Sequence, residues 1–299
     1  MLRKFLSFFA SGFLLVGCTA PSVTTNQATQ TTSTQTTQSV VDIHMNHSTE
    51  EMSMMGSMER LNKSPRHQEW VEVKNGDKTI HVWVVYPEVS DKKPVVLLIH
   101  ENRGLNDWAR SMADQIAEAG YIGVAPDLLS DFSDKEKKTS DFANEDAART
   151  ALSTLDPKQI ISDLQAVADW TKTIPSSNGK IASAGFCWGG GQSFQLATQS
   201  KDLDVAMVFY GTGPTDATAY QSVSAPVYGF YGGADARVNA TISDSEKSMK
   251  DAGKTFEYKI YEGAGHAFMR SGEDLNGDPA NIAARNAAWE RMKAILSTL

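Results

Sequence analysis

Apolar residues change texture along this chain. From residue 68 onward, short runs with strand-like patterning alternate with stretches of helical spacing; before it, the one concentrated apolar block is residues 5–16. Residues 70–73 and 80–86 alternate or run apolar and are separated by Asn75-Gly76, a hairpin signal. Residues 95–99 are apolar throughout, as a strand covered on both faces requires. Helical periodicity follows over residues 107–119, then a short strand over 121–125. Residues 130–155 are polar and acidic and predict a mobile cap over the sheet. Asp156-Pro157 opens a helix running to about residue 173, with Asp as cap and Pro in the first turn. Further strands are predicted at 180–184, 205–210, 227–231 and 256–261, with helices between them; Asp278-Pro279 opens a last helix ending near Leu299. Such alternation predicts an α/β fold over residues 66–299: a mostly parallel, doubly wound sheet of about eight strands, with helices on both faces. Ligands of such sheets bind beyond the carboxyl ends of the strands.

The segment before this domain reads differently. Arg3 and Lys4 precede an apolar run of 12 residues, 5–16, too short for a bilayer span of about 20. The run ends in Leu15-Val16-Gly17-Cys18, which resembles a bacterial lipoprotein signal. That resemblance implies cleavage before Cys18, acylation there, and a lipid-anchored protein of the cell envelope. Thr19 in place of an acidic residue points, by analogy, to the periplasmic face of the outer membrane. Residues 19–65 are predicted to be a disordered tether, rich first in Thr and Gln and then in Met and His. His44, Met45, His47, Met52, Met54, Met55 and Met58 suit copper as ligand types. They follow no fixed ligand spacing, and a Met-rich tether or a loosely docked arm accounts for the same letters.

Charge and cysteine content narrow the partners. The chain of 299 residues carries net charge −8 and has no basic stripe, which argues against nucleic acid. Its two cysteines, Cys18 and Cys187, exclude a disulfide framework.

Candidate chemistry centres on Gly185-Phe186-Cys187-Trp188-Gly189-Gly190, between the strand at 180–184 and a helix predicted over 191–198. A strand entering a helix in one tight turn strains the central residue, and Gly185 and Gly189 let the two elements approach. Cys187 then sits at a helix N-terminus, where N–H groups and the dipole lower a thiol toward thiolate and the Trp188 N–H can hold an oxyanion. A packing turn around a buried Cys has the same letters; the flanking strand and helix favour the nucleophile.

A thiol nucleophile needs a base, and the base an orienting acid. His266, in Gly263-Ala264-Gly265-His266, follows the last strand on a Gly-flanked loop; His44, His47, His67 and His81 are poorly placed. Asp235, just past the strand at 227–231, is the preferred acid over Asp216 and Asp204. The loop His100-Glu101-Asn102-Arg103-Gly104 offers the Asn102 N–H as second oxyanion donor, and Glu101 as a carboxylate able to hold or accept the thiol proton.

Taken in order, the Glu-Asn-Arg-Gly loop, Gly-Phe-Cys-Trp-Gly-Gly, Gly-Gly-Ala-Asp and Gly-His-Ala-Phe-Met-Arg resemble the dienelactone hydrolase family of α/β-hydrolases, over about residues 70–299. The resemblance implies a Cys187–His266–Asp235 triad. It also implies that Glu101 pairs with the resting thiol and releases it as thiolate on substrate binding. Arg270 matches an arginine that holds the substrate carboxylate; Arg149 is the candidate for a second, and Arg103 an alternative anion contact. The implied reaction is hydrolysis of a small ester or lactone through an acyl-enzyme, which calls for no metal and no organic cofactor. Two other readings differ in kind: an exported binding module on a hydrolase fold, and a copper-binding lipoprotein working through its His/Met arm.

Overall fold

The computed structural model describes residues 49–299, with side chains from Gly56 on. The leader with Cys18 and residues 19–48, with His44, Met45 and His47, lie outside the described residues; of Met52, Met54 and Met55 only the backbone is described. The described chain begins with α1 (Thr49–Lys63) and the hairpin β1 (Gln68–Asn75) and β2 (Lys78–Val85). It continues through β3 (Lys93–Ile99), α2 (Asp107–Glu118), β4 (Ile122–Pro126), α3 (Glu145–Leu152), α4 (Pro157–Thr171), β5 (Ser177–Phe186) and α5 (Trp188–Gln199). Then come β6 (Val205–Phe209), β7 (Val227–Gly232), α6 (Ala236–Asn239), α7 (Ile242–Asp251), β8 (Phe256–Tyr261), α8 (Phe268–Ser271) and α9 (Pro279–Leu296).

The eight strands form one sheet in the order β1-β2-β4-β3-β5-β6-β7-β8. The pairs β1/β2 and β2/β4 are antiparallel and every other pair is parallel. Asn75 pairs with Lys78 across the hairpin, and Gly76 takes the positive φ of 58° that its turn demands. The apolar run of β3 is divided between two cores. Val96 and Leu98 join Trp108 and Met112 of α2 and Ala288 and Met292 of α9, whereas Val95, Leu97 and Ile99 join Leu164 of α4 and Phe194 of α5. Each of these fully buried Val, Leu and Ile side chains of β3 contributes roughly 1.5–3 kcal/mol. A strand flanked on both faces has no solvated side, so its sequence does not alternate.

Helix α5 begins at Trp188, three residues before the predicted start. Glycines are poor helix formers, which hides this first turn in the sequence. Packing requires them: a Cβ on Gly189 would lie 2.3 Å from the Ile99 carbonyl oxygen, and one on Gly190 would lie 2.7 Å from that of Phe209.

The tether boundary needs correction. Residues 49–63 are helical, and the end of this arm is fastened to α2 through Asp114, whose side chain is fully buried. Arg66 donates to both carboxylate oxygens of Asp114 at 2.8 Å, Arg60 Nε donates to one at 2.8 Å, and Ser64 donates as well. The acidic segment after β4 is likewise tied down: the Thr139 N–H and hydroxyl donate to Asp127 at 2.6 and 2.7 Å, and Ala148, Ala151 and Leu152 of α3 pack with Leu129 against Trp188.

Candidate active site

β5 runs into α5 through Cys187, which holds φ 55° and ψ −115°. That conformation is uncommon for a residue with a Cβ and persists only where its surroundings impose it. Here the Cys187 N–H donates to the Phe209 carbonyl at 3.0 Å, and its own carbonyl accepts from the Gly190 N–H at 3.0 Å. Gly185 makes room: a Cβ there would lie 1.9 Å from the Gly189 carbonyl oxygen. The sulfur is thereby presented at the carboxyl ends of the strands, at the first turn of α5.

His266 arrives from the loop after β8, where Ala267 takes a left-handed conformation, φ 60°. Its Nε2 lies 3.0 Å from Cys187 Sγ and its Nδ1 lies 2.5 Å from Asp235 Oδ2. Asp235 follows β7 and also caps α6, accepting from the Val238 N–H at 3.3 Å through its other oxygen. The carboxylate can only accept, so the imidazole carries its proton on Nδ1 and offers Nε2 as acceptor to the thiol. Three groups far apart in sequence thus form one hydrogen-bonded line.

The thiol itself departs from the sequence expectation. Burial, then the negative charge of Glu101, push the Cys187 thiol up to about 11; the Trp188 N–H and the charges of Arg237 and Arg270 only partly oppose them. The helix terminus acts in the direction expected but is outweighed, and the balance favours the protonated thiol at rest.

Glu101 is nearly buried and does not bond the sulfur, contrary to the pairing implied by the resemblance. Its carboxylate accepts from the Tyr210 hydroxyl at 3.3 Å and from Arg270 Nε at 3.1 Å. Arg270 is therefore engaged with Glu101. Arg103 pairs with Glu145 at 2.5 Å and lines a neighbouring hollow of about 680 Å³ together with Trp70 and Phe142, apart from the sulfur. Arg149 does reach the Cys187 cavity, a space of about 480 Å³ that Asn102, Trp188 and Gln192 also line.

Two residues were missed by sequence reasoning. Tyr210, directly after β6, adopts φ 41°, bonds Glu101, and packs its ring 5.1 Å from that of His266. Arg237 stands in the Cys187 cavity, two residues after Asp235. Its only signal was its place within the Asp235 motif.

Comparison with known proteins agrees with this architecture. Residues 80–299 match the sequence profile of the "Dienelactone hydrolase family". A protein of Saccharolobus solfataricus provisionally named carboxymethylenebutenolidase is 32% identical over 253 residues, covering 73% of this chain and 93% of that protein. Among solved structures, one from Klebsiella pneumoniae provisionally named dienelactone hydrolase superposes with TM-score 0.68 at 22% identity, covering 78% of this chain and 99% of that one. The dienelactone hydrolase-like promiscuous phosphotriesterase P91, from metagenomic libraries, superposes with TM-score 0.66 at 21% identity, covering 78% and 98%. At these identities the two structures speak for the fold.

Proposed function

The chain belongs to the dienelactone hydrolase family of ester and lactone hydrolases, and on that premise we propose that Cys187, His266 and Asp235 are its catalytic triad and that turnover passes through an acyl-enzyme. The observation that carries this reading is the line Cys187 Sγ–His266–Asp235, with 3.0 and 2.5 Å separations, at the first turn of α5. Nε2 takes the thiol proton as sulfur attacks the carbonyl carbon. The oxyanion is held by the N–H groups of Trp188 and Asn102. The C–O bond of the ester or lactone then breaks, and the imidazolium returns the proton to the departing oxygen. Water, deprotonated by His266, attacks the thioester and restores the thiol.

The substrate on this reading is a small ester or lactone, of a size consistent with the 480 Å³ cavity. Arg149 and Arg237 line that cavity and suit a carboxylate on the substrate. Arg270 and Tyr210 act one step removed, by holding Glu101 beside the sulfur. The lipoprotein-like leader supports an envelope location with Cys18 acylated; loss of labelled fatty acid from a Cys18→Ala variant is the corresponding test.

The triad is tested with a panel of short acyl esters and lactones, with and without a carboxylate. Cys187→Ala is expected to lose turnover while circular dichroism is unchanged, and mass spectrometry of the native enzyme during turnover is expected to find the acyl group on Cys187. Undiminished turnover by Cys187→Ala would rule the thiol out.

A further inference from the structure

His100 closes β3 with no exposed surface and stacks on Trp188, ring centroids 5.6 Å apart and planes at 16°. Its Nδ1 lies 2.8 Å from the Glu101 carbonyl oxygen, and its Nε2 lies 3.3 Å from the Leu128 N–H. A carbonyl only accepts and an amide N–H only donates, so Nδ1 must carry the hydrogen and Nε2 must be bare. Burial, opposed chiefly by the charge of Asp127, pushes the imidazole below its ordinary value and keeps it neutral, as this double engagement requires.

We infer that His100 is a positioning residue which, by holding the Glu101 carbonyl, aims the Asn102 N–H into the Cys187 cavity. The inference rests on the reading of that N–H as an oxyanion donor. The peptide between Glu101 and Asn102 is planar and trans, so its C=O and N–H point in opposite directions. A carbonyl drawn down to the buried imidazole turns the N–H away from His100, toward the open side, where Asn102 lines the cavity with Cys187 and Trp188. The far end of the loop is pinned separately. The Leu105 N–H donates to Thr139 Oγ1 at 2.9 Å, and that hydroxyl donates to Asp127 at 2.7 Å. Gly104, at φ 79°, has no room for a Cβ, which would meet the Thr139 side chain at 2.3 Å. With both ends held, the orientation of the Glu101–Asn102 peptide is what the His100 hydrogen bond decides. The stacking on Trp188 places the same imidazole against the residue that supplies the other N–H.

The test compares two polar replacements in the full chain. H100N retains an N–H near the position of Nδ1, whereas H100Q places its amide near Nε2 and leaves the Glu101 carbonyl unheld. Three quantities are read: kcat, KM, and the rate at which iodoacetamide alkylates Cys187, a displacement that forms no oxyanion. H100Q is expected to lose about a hundredfold in kcat, the range for removal of one oxyanion donor, with KM and alkylation within about twofold of native. H100N is expected to stay within about tenfold in kcat. Native kcat in H100Q, alkylation falling in step with kcat, or an H100N as slow as H100Q would overturn the inference. Should H100Q fail to fold, H100N alone decides, since it must keep kcat within the tenfold. Failure of the underlying triad is separate: it appears as turnover retained by Cys187→Ala in the same assay.

Discussion

The carboxylate of Glu101 lies 3.1 Å from Arg270 Nε, and this ion pair stands beside the Cys187 sulfur without bonding it. Glu101 therefore acts on the thiol as a charge. Arg270, by pairing with that charge, moderates it and adds its own opposing field. A substrate that displaced or neutralised Glu101 would lower the thiol at the moment of attack.

This arrangement sets a pH dependence. With the thiol near 11, the thiolate at pH 7 is only about one part in 10⁴, each pH unit being tenfold. Iodoacetamide alkylation of Cys187 in the absence of substrate should be slow at neutral pH and climb steadily through pH 9 to 11. Removing the negative charge by Glu101→Gln favours the thiolate, so the profile should move to lower pH. A plateau already reached below pH 7 in the native enzyme would mean a thiolate–imidazolium resting pair instead.

Asp235 has two tasks on two oxygens: orienting His266 and capping α6. Asp235→Asn keeps an acceptor for the Val238 N–H but can present an amide N–H to Nδ1, which favours the wrong tautomer of the imidazole. Its kcat should fall by roughly 10³ to 10⁴ with stability little changed. Asp235→Ala should lose similar activity and, in addition, about 1 kcal/mol of stability from the missing cap. Thermal melts beside kcat separate the two tasks.

Arg237 is exposed in the sulfur's cavity, and no carboxylate of the described residues pairs with it. Replacement by Gln should raise KM for a carboxylate-bearing ester by about three- to tenfold, the modest range of a solvent-screened charge contact. KM for a neutral ester of the same size should stay put. Arg149, already paired with Asp146 at 2.7 Å, should show a smaller split. Equal KM changes for both substrates would remove Arg237 from carboxylate recognition.

What could be read from sequence was local or topological. The 95–99 run announced a strand buried on both faces, Asn75-Gly76 a hairpin, and the Asp-Pro pairs at 156–157 and 278–279 the starts of α4 and α9; the structure has each. Strand–helix alternation was enough for the doubly wound sheet, and therefore for the rim at which Cys187, Asp235 and His266 meet. What depended on balance between long-range forces was not legible. The helix terminus suggested a lowered thiol, because burial and Glu101 cannot be weighed before the fold is known. The pairing of Glu101 with sulfur was implied by the family resemblance, and nothing in the letters brings Tyr210 to it from 109 residues away. The same holds for α1, whose arginine pairs with carboxylates of α2 that no local pattern announces.

That aspartate offers a stability test remote from the site. Burial pushes the Asp114 carboxyl up, but hydrogen bonds from Arg66 and Ser64 and the charges of Arg66 and Arg60 outweigh it, so the group ends below its ordinary value. A carboxyl lowered by folding stabilises the fold fully above its unfolded value, near pH 4, and that contribution fades as pH falls through the folded value. Asp114→Asn removes the buried counter-charge of Arg66 and Arg60 and leaves them the exposed carboxylate of Glu118. A fully buried pair broken in this way costs about 3–5 kcal/mol; both arginines retain some access to solvent, so about 2 kcal/mol is the expected loss at pH 7. Urea denaturation should show that difference at pH 7 and a progressively smaller one as pH falls below about 4. Limited trypsin digestion should cut the variant faster around Arg60 and Lys63, while kcat stays native because Asp114 touches none of the groups around the sulfur. A variant with unchanged stability at pH 7 would mean that α1 is held by its other contacts, the Glu118 ion pair among them, and not by this aspartate.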